Sequence, residues 1–324
     1  MSMLKKILEY KKVCIQCHNN PDADAIASAY AVYCYLQAHG TESHIVYGGG
    51  QKIDKTSLKM LIKECDIPIK HTHSIPDFDL LLLVDCQYGQ NNVEQFTAEN
   101  IMVIDHHIQV VDSNSNYLVN SSYQSCSTLI YELLLEEGFP VKDNENLTVA
   151  LLFGLYTDTS SFTDLFENAD IIMKKELFRQ QPLFEKLIKS NMSIAELLVI
   201  SDAIYNHYFD VEYRFAIVEA LKCEQAVLGM IGDFIIQVDA IAVSFTYAEV
   251  GNGYQISVRS CHENLEADKI ATYVCEEIGG GGGHKKKGGG RIIKAKMEEK
   301  YVGMEIFDVV NLRLCQYIKE NRNK

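Results

Sequence analysis

The chain has 324 residues, of which 47% are hydrophobic and 23% charged, and its formal net charge is -14. This length allows two domains of ordinary size, and the composition is that of a globular protein with a substantial core. The negative charge argues against long duplex DNA as a partner, because sequence-independent binding needs a basic surface several phosphates long. No apolar run reaches about 18 residues and the amphipathic start is unlike a signal sequence, so we expect no membrane span and a cytoplasmic location.

Ten cysteines are scattered along the chain, mostly inside apolar segments. Cys14 and Cys17 form a single C-x-x-C pair with no second pair nearby, which is a poor pattern for zinc. We therefore interpret the cysteines as reduced, buried, structural thiols of a reducing compartment.

The first half of the sequence alternates predicted strands with predicted helices. Continuous apolar runs such as residues 80–84 indicate strands buried on both faces, as in a parallel sheet covered by helices. We predict an α/β fold with an open parallel sheet, whose ligand sites lie outside the carboxyl ends of its strands. The predicted elements are strands at 12–17, 43–47, 80–84 and 101–104 and helices at 24–38, 55–64, 126–137 and 147–156.

The second half changes from helical segments to alternating polar and apolar residues. This pattern predicts a helical connector followed by a smaller α/β domain with a mixed sheet. We place one domain at 1–185, the connector at 186–208 and the second domain at 209–324. The predicted elements are helices at 169–179, 183–190 and 194–205, strands at 214–219, 240–248 and 254–261, a helix at 267–278, a glycine-rich loop at 279–290, a strand at 291–297 and a helix at 303–321.

Four short segments rich in Asp and His lie at or near the ends of apolar runs. They are residues 18–24, 84–86, 105–107 and 157–159, and together they hold five Asp and three His. Carboxylates crowded in one cleft raise one another's pKa and cannot all ionise unless a cation compensates. The four segments together therefore predict a two-metal hydrolytic centre.

The first of these segments lies on a predicted strand-to-helix turn. Asp22 and Asp24 fall at the N-terminus of the predicted helix, where the positive end of the helix dipole favours carboxylates. Taken alone, the segment is interpreted equally well as an Asp helix cap with an incidental His18.

Taken together, the four segments resemble the DHH phosphoesterase superfamily, which is named after the triplet Asp105-His106-His107. In the second half, Gly281-Gly282-Gly283-His284 resembles the GGGH signature of the DHHA1 domain. Length and domain pair most resemble the nanoRNase/pAp phosphatase branch of this superfamily, which also includes the RecJ-type exonucleases. The resemblance implies a metal-binding catalytic DHH domain, a helical connector and a substrate-binding DHHA1 domain.

The resemblance also implies a role for each matched residue. Two metal ions would share Asp85 as a bridging ligand. Asp105 would orient a histidine, and His107 would face the scissile phosphate. The implied metal ligands are His18, Asp22 and Asp85 for one ion and Asp24, Asp85, His106 and Asp158 for the other.

Mixed carboxylate and imidazole ligands suit two Mn²⁺ ions, with Mg²⁺, Co²⁺ or Fe²⁺ as competitors, and the absence of Cys ligands argues against structural zinc. Two ions about 3.5–4 Å apart would lower the pKa of a water and stabilise the phosphoryl oxygens during in-line attack. No covalent intermediate is needed, so Ser160 and Ser161 are interpreted as hydrogen-bonding residues at a helix end and not as nucleophiles.

The glycine-rich loop is interpreted as a phosphate-binding loop, with a flexible linker as the alternative. Arg259 is interpreted as a partner for a second phosphate, with an exposed strand arginine as the alternative. The residues at 285–287 are lysines where related proteins usually carry small residues, and their charge favours a substrate with more phosphate or merely a soluble loop. The predicted substrate-binding residues are Arg259, Ser260, Gly282, Gly283 and His284.

Other histidines and glycines suit structural interpretations better. His71 and His73 fall in a predicted polar connection and are expected to be exposed, and His207 is expected to pack near the connector. The glycines at 48–50 are interpreted as a turn, with a place in the active cleft as the alternative.

We therefore expect a metal-dependent phosphoesterase that hydrolyses short oligoribonucleotides or pAp-like nucleotides. The alternatives are a cyclic-dinucleotide or linear dinucleotide (pApA) phosphodiesterase, a pyrophosphatase and an inactive nucleotide-binding protein. The expected partner is a short RNA or small phosphorylated nucleotide, with no long duplex DNA and no membrane, and a homodimer is left open.

Overall fold

A computed structural model describes residues 2–75, 77–110, 114–179, 181–190 and 192–321 of the chain. The chain divides into two units, Met1–Met192 and Ser193–Lys324. This division lies within the predicted connector, and the predicted domain boundaries themselves stay a prediction.

The apolar runs of the first unit form the parallel sheet that the sequence predicts. Its strand order is β3-β2-β1-β4-β5-β6, and every neighbouring pair is parallel. The order reverses direction between β1 and β4, which makes a topological switch point, the place where open α/β sheets bind ligands. The strands are β1 (Lys12–Gln16), β2 (Glu42–Tyr47), β3 (Ile69–His71), β4 (Leu80–Val84), β5 (Ile101–Asp105) and β6 (Tyr117–Val119).

Helices and two apolar clusters cover the two faces of this sheet. All five side chains of β4 are buried, which explains why its sequence is apolar without alternation. The larger cluster contains α2, α4 and α5, and a smaller one contains Leu81, Leu83 and Val103. The helices are α1 (Met3–Ile7), α2 (Ala23–Ala38), α3 (Thr56–Glu64), α4 (Cys126–Glu136), α5 (Glu145–Asp158), α6 (Asn168–Leu177) and α7 (Pro182–Lys189), with a 3₁₀ turn at Val141–Asp143.

The second unit contains the mixed sheet that the sequence predicts, in the order β11-β12-β10-β9-β8-β7. Only β8 and β9 pair in parallel, and the other described pairs are antiparallel. The elements are α8 (Ile194–Tyr205), β7 (His207–Asp210), β8 (Phe215–Ala220), α9 (Gln225–Ile235), β9 (Val243–Val250), β10 (Gly253–Ser260), α10 (Ala267–Cys275), β11 (Gly279–Gly283), β12 (Lys287–Ile293), α11 (Lys294–Lys300) and α12 (Ile306–Asn321).

The glycine-rich segment is a β-hairpin, so the predicted loop at 279–290 is wrong. β11 consists of five glycines paired with β12, and Lys285 and Lys286 form the turn between the strands. Glycine is required because a Cβ at Gly281 would lie 2.3 Å from the carbonyl oxygen of Ala271 on α10. The close approach of α10 therefore overrides the poor strand propensity of glycine.

Some elements were not predicted from the sequence. They are the short strands β3, β6 and β7 and helix α9, and the predicted strand at 291–297 ends at Ile293, where α11 begins. The thiol of Cys261 is exposed, contrary to the expectation of burial for the cysteines. Within the described part of the chain, no helix has both the length and the apolar character needed to cross a bilayer.

Candidate metal centre

The predicted metal ligands gather at the switch point of the parallel sheet. β1 and β4 are neighbours in register, with Gln16 opposite Leu83, so the residues that follow them emerge side by side. His18 comes two residues after the end of β1, and Asp85 comes directly after β4. The strand ends thus bring two predicted ligands together, as the sequence pattern predicts.

His18 and His106 both direct Nε2 towards this point and Nδ1 away from it. Nδ1 of His18 lies 2.9 Å from the carbonyl oxygen of Asn19, and Nδ1 of His106 lies 3.2 Å from that of Tyr123. A carbonyl oxygen only accepts hydrogen bonds, so Nδ1 is the donor in both rings. In the neutral rings Nε2 then carries the lone pair that binds metals.

The carboxylate of Asp85 lies between the two histidines. Its Oδ2 is 3.8 Å from Nε2 of His18, and its Oδ1 is 3.3 Å from Nε2 of His106. The backbone of Asp85 is left-handed, with φ of 60°, a conformation that costs strain but that Asp adopts more readily than most residues. The turn after β4 therefore places one carboxylate oxygen beside each imidazole.

Asp22 and Asp24 lie at the start of α2, as predicted. Asp22 is the N-cap, and its Oδ1 accepts hydrogen bonds from the backbone N–H groups of Asp24 and Ala25. Asp24 is fully buried, and its two oxygens accept hydrogen bonds from Cys126 and Ser127 at the N-terminus of α4. Two helix N-termini therefore stabilise the charge of Asp24.

Asp158 lies at the C-terminal end of a helix, whereas Asp22 and Asp24 lie at an N-terminal end. It is the last residue of α5, where the negative end of the helix dipole disfavours a carboxylate. Its Oδ2 lies 3.5 Å from Nε2 of His106. Burial, followed by the charges of Asp24 and Asp22, raises the pKa of Asp158 well above its ordinary value.

Three overlapping groups of side chains have donor atoms within 4.8 Å of one another, close enough to hold a metal ion. The first is one of the two ligand sets that the resemblance implies, the second contains three members of the other set without Asp85, and the third includes His107. Within the described residues, the groups are His18, Asp22 and Asp85; Asp24, His106 and Asp158; and Asp85, His106 and His107.

The chemistry of these side chains fits a divalent metal ion. Burial and then neighbouring carboxylates raise the pKa of Asp85, and the same two causes act on Asp24. Oδ1 of Asp85 is buried and, among the residues that the structure describes, has no hydrogen-bond partner. A buried acceptor in such a position costs free energy, and a cation would satisfy it while offsetting the crowded negative charge.

His107 is held by a hydrogen bond to Asp105. Nδ1 of His107 lies 2.8 Å from Oδ1 of Asp105, and the imidazole is 43% exposed. Burial opposes ionisation of Asp105, but hydrogen bonds from His107 and Gln87 outweigh it and lower the pKa of Asp105 to about 2. Asp105 thus orients a histidine, which is the arrangement that the resemblance implies.

Gln87 is a residue of the site that sequence reasoning missed. Its Nε2 donates to Oδ2 of Asp105 across 2.7 Å and to the carbonyl oxygen of Ile108 across 3.1 Å. Its Oε1 accepts from the backbone N–H of Val110 at 3.0 Å. Gln87 follows Asp85 by two residues, but no spacing in the sequence indicates that it fastens the loop after His107.

The chain after Asp158 continues through an unusual turn. Ser160, Ser161 and Phe162 are consecutive left-handed residues, with φ of 50°, 61° and 66°. A left-handed residue other than glycine costs about 1–2 kcal/mol, so such residues normally occur singly. The predicted nucleophile alternatives Ser160 and Ser161 therefore lie in a strained turn that leaves α5, consistent with their interpretation as residues of a helix end.

The predicted substrate-binding glycines line the hairpin of the second unit. Gly282 belongs to β11, and a Cβ added there would meet no atom within 4 Å. His284 is exposed at the turn, where its backbone N–H donates to the carbonyl oxygen of Lys287 across 2.7 Å. Gly283 has φ of 137°, and a Cβ there would lie 2.4 Å from the carbonyl oxygen of Lys287. One face at Gly282 is therefore open.

Arg259 and Ser260 are engaged within the second unit. The guanidinium of Arg259 forms an ion pair with Asp233 on α9 and donates to Oγ of Ser257 across 2.9 Å. Its side chain is 14% exposed, which differs from the simple exposed arginine of the alternative interpretation. Ser260 is buried at the end of β10. Their substrate-binding roles stay predictions.

His71 was expected to be exposed in a polar connection, and this prediction is wrong. The residue ends β3 and is half-buried. Its Nε2 lies 2.7 Å from the carbonyl oxygen of Gly49, whereas His73 is exposed and 3.7 Å from Glu94. Glu94 also accepts a hydrogen bond from the N–H of Gly49. The turn at glycines 48–50 is therefore held by hydrogen bonds between Gly49 and the side chains of His71 and Glu94. His207 is exposed on β7.

The first unit matches a known protein family. Residues 12–156 match the family described as "DHH family, N-terminal domain", a range that includes all the predicted ligands except Asp158. The first unit is therefore a DHH-family domain. The match confirms, for the first unit, the resemblance to the DHH family that the sequence predicts.

Several known proteins are similar to this chain. The cyclic-di-AMP phosphodiesterase GdpP of Geobacillus thermodenitrificans is 27% identical over 276 residues, covering 78% of this chain and 41% of GdpP. A probable manganese-dependent inorganic pyrophosphatase of Streptococcus pyogenes is 26% identical over 153 residues, covering 46% of this chain and 48% of the relative. The chain thus spans less than half the length of either relative.

A solved structure shares the fold. The crystal structure of an exopolyphosphatase-related protein from Bacteroides fragilis aligns with a TM-score of 0.79 over 98% of this chain and 96% of that chain, at 17% identity. This likeness concerns the fold alone. The assignment of the second unit as a DHHA1 domain stays a prediction.

Proposed function

We propose that the chain is a metal-dependent phosphoesterase that hydrolyses short oligoribonucleotides or pAp-like nucleotides. The observation that carries the proposal is the position of Asp85, with one oxygen beside Nε2 of His18 and the other beside Nε2 of His106. A carboxylate between two imidazoles is suited to bridge two cations.

We propose that the ions are two Mn²⁺. His18, Asp22 and Asp85 would hold one ion, and Asp24, Asp85, His106 and Asp158 the other. When bound, such ions lower the pKa of a water and stabilise negative charge on phosphoryl oxygens. The manganese dependence in the name of the pyrophosphatase relative supports the choice of metal.

The side chains of the first unit would divide the remaining work. Asp105 accepts a hydrogen bond from Nδ1 of His107, which fixes the ring so that Nε2 is the nitrogen we assign to the substrate. Burial opposes protonation of His107, but the hydrogen bond to Asp105 and the charge of Asp85 outweigh it and raise the pKa of His107. In the protonated ring both nitrogens carry a proton, so Nε2 can donate a hydrogen bond to a phosphoryl or leaving-group oxygen. Gln87 holds Asp105 and the loop after His107 in place, so the histidine meets the substrate without reordering.

The second candidate is a phosphodiesterase of cyclic or linear dinucleotides. The match to GdpP covers 78% of the chain, which is more than the length of the first unit, so it extends into the second unit. The match to the pyrophosphatase covers only 46% of the chain. A resemblance that reaches the second unit favours nucleotide substrates over inorganic pyrophosphate. The net charge of -14 favours a small phosphorylated partner over long duplex DNA.

One assay separates these functions. The purified protein with Mn²⁺ is offered pAp, a labelled dinucleotide, a longer RNA, cyclic di-AMP and pyrophosphate. We expect fastest turnover of pAp or the dinucleotide. Fastest turnover of cyclic di-AMP, or turnover of dinucleotides without turnover of pAp or the longer RNA, would establish the second candidate. Preferred turnover of pyrophosphate would overturn the nucleotide assignment, and no turnover of any compound would overturn the enzyme assignment.

A further inference from the structure

We propose that Phe162 is a positioning residue that holds the carboxylate of Asp158 in place through the left-handed turn between them. The proposal rests on the metal-binding role proposed above for Asp158. It assigns a function to a strained segment that lies outside the ligand set.

The turn closes back onto the last turn of α5. The N–H of Ser161 donates to the carbonyl oxygen of Tyr156 across 2.8 Å, and the N–H of Asp164 donates to that of Thr159 across 3.0 Å. These bonds satisfy carbonyl groups that the end of a helix otherwise leaves without partners. The left-handed turn is therefore the cap of the helix that carries Asp158.

Such a cap normally uses glycine, and here three successive non-glycine residues adopt it. A strained backbone persists only where the surroundings hold it. We assign this stabilisation of the turn to the side chain of its last residue, Phe162.

Phe162 packs in an aromatic cluster formed by α5, α6 and α7. Its ring centroid is 5.1 Å from that of Tyr156, 6.4 Å from that of Phe184 and 6.4 Å from that of Phe178. The ammonium of Lys174 lies 4.2 Å from the ring centroid, within the range of a cation–π contact. Contacts on several sides fix the ring and hence the turn.

Asp158 depends on this cap more than the other predicted ligands do. It lies at the negative end of a helix, whereas Asp22 and Asp24 lie at positive ends. If the cap loosens, the last turn of α5 frays and the carboxylate moves from His106. Loss of Phe162 should therefore weaken the ion held by Asp24, His106 and Asp158 and spare the ion held by His18 and Asp22.

The test is calorimetric titration of the metal-stripped full-length protein with Mn²⁺. In Phe162→Ala we expect the dissociation constant of one binding event to rise about 10- to 100-fold, the usual loss when an outer support of a metal ligand is removed. The other event should change less than about threefold. Phe162→Tyr, which keeps the ring, should bind both ions like the wild type.

Phe178→Ala is the matched control, because Phe178 belongs to the same cluster and lies outside the turn. It should lower the melting temperature and change both dissociation constants less than about threefold, because Tyr156, Phe184 and Lys174 still contact the ring of Phe162. Equal weakening in Phe162→Ala and Phe178→Ala, or unchanged binding in Phe162→Ala, would overturn the positioning role. If Phe162→Ala does not fold, Phe162→Leu is judged by the same criteria.

Wild-type protein that binds no Mn²⁺ would overturn the proposed function, and the role of Phe162 with it. Wild-type protein that binds two ions, with Phe162→Ala behaving identically, would overturn only the role of Phe162.

Discussion

Oδ1 of Asp85 lies 3.3 Å from Nε2 of His106. The two atoms belong to the ends of neighbouring strands, β4 and β5, and both would be electron-pair donors to a metal. A short approach between two such donors indicates a position that a shared cation would stabilise.

This relationship predicts that Asp85→Asn loses both ions. The amide keeps the shape of the side chain but removes the negative charge that lies between His18 and His106. Removal of even an outer support weakens metal binding about 10- to 100-fold, so loss of the shared ligand should exceed 100-fold for both events. Titration calorimetry with Mn²⁺ measures this, with Asp66→Asn as a remote control. Retention of one tight event in Asp85→Asn would contradict the bridging role.

Metal removal should make the stability of the protein depend strongly on pH. The pKa of Asp85 and of Asp158 is raised in the folded protein, first by burial. A raised carboxyl pKa means that the folded state binds more protons than the unfolded state at pH values above about 4. The stability of the chelated protein should therefore fall as pH rises from 5 to 8.

Melting temperatures in EDTA and in Mn²⁺ measure this effect. Mn²⁺ should raise the melting temperature most at pH 8, where the carboxylates are ionised and repel one another unless a cation is bound. At pH 5 protonation already relieves this repulsion, so Mn²⁺ should have a smaller effect. An equal increase at both pH values would contradict the role of these carboxylates.

His107→Ala should lower kcat without loss of metal. The histidine is anchored by Asp105, and its removal leaves the six predicted ligands unchanged. A positioned proton donor contributes about 10²- to 10⁴-fold to rate, so we expect a loss of kcat in that range. Steady-state kinetics with the preferred nucleotide, together with Mn²⁺ titration, separates the two effects. A fall in Mn²⁺ affinity would place His107 among the ligands, as its membership of the third donor group allows.

Gly154→Ala should destabilise the protein although alanine favours helices. A Cβ at this position of α5 would lie 2.3 Å from Oγ of Ser127 and 2.9 Å from Oδ1 of Asp24. Overpacking of this kind costs about 1–3 kcal/mol, more than the roughly 1 kcal/mol that alanine gains in a helix interior.

Urea unfolding gives the change in free energy of unfolding. Ser127→Ala combined with Gly154→Ala should recover part of the loss, because the nearest atom to the new methyl group is removed. A single Gly154→Ala variant as stable as the wild type would show that α4 and α5 are less tightly fixed than they are here.

Two glycines of β11 should respond oppositely to the same substitution. Gly281→Ala should lower the melting temperature, because its Cβ would meet the carbonyl oxygen of Ala271 at 2.3 Å. Gly282→Ala should leave it unchanged, because the space there is open. If Gly282 binds substrate as predicted, Gly282→Ala should raise KM and spare kcat. An unchanged KM in Gly282→Ala would remove this glycine from the substrate site.

The parallel sheet and the grouping of the ligands were predictable because they depend on local pattern. The apolar run of β4 requires burial on both faces, and polar residues after strands meet at one edge of a parallel sheet. His18, Asp85 and Asp105 follow or end such strands, so their convergence needed no knowledge of long-range contacts.

The features that were missed depend on contacts distant in the sequence. Gln87 acquires its role only when the loop after His107 folds back over it. The strand β11 lies so close to α10 that Gly281 has no room for a side chain, whereas five glycines in isolation favour a loop. Arg259 has a partner, Asp233, on helix α9, which was not predicted from the sequence.

The all-glycine strand has a consequence for solubility. β11 is an edge strand of its sheet, and exposed edges are the places where proteins pair with one another and aggregate. Intermolecular β-pairing is promoted by segments of high β-propensity, and glycine has one of the lowest. In a partly unfolded chain, this glycine segment should therefore have little tendency to pair with other chains and start aggregation.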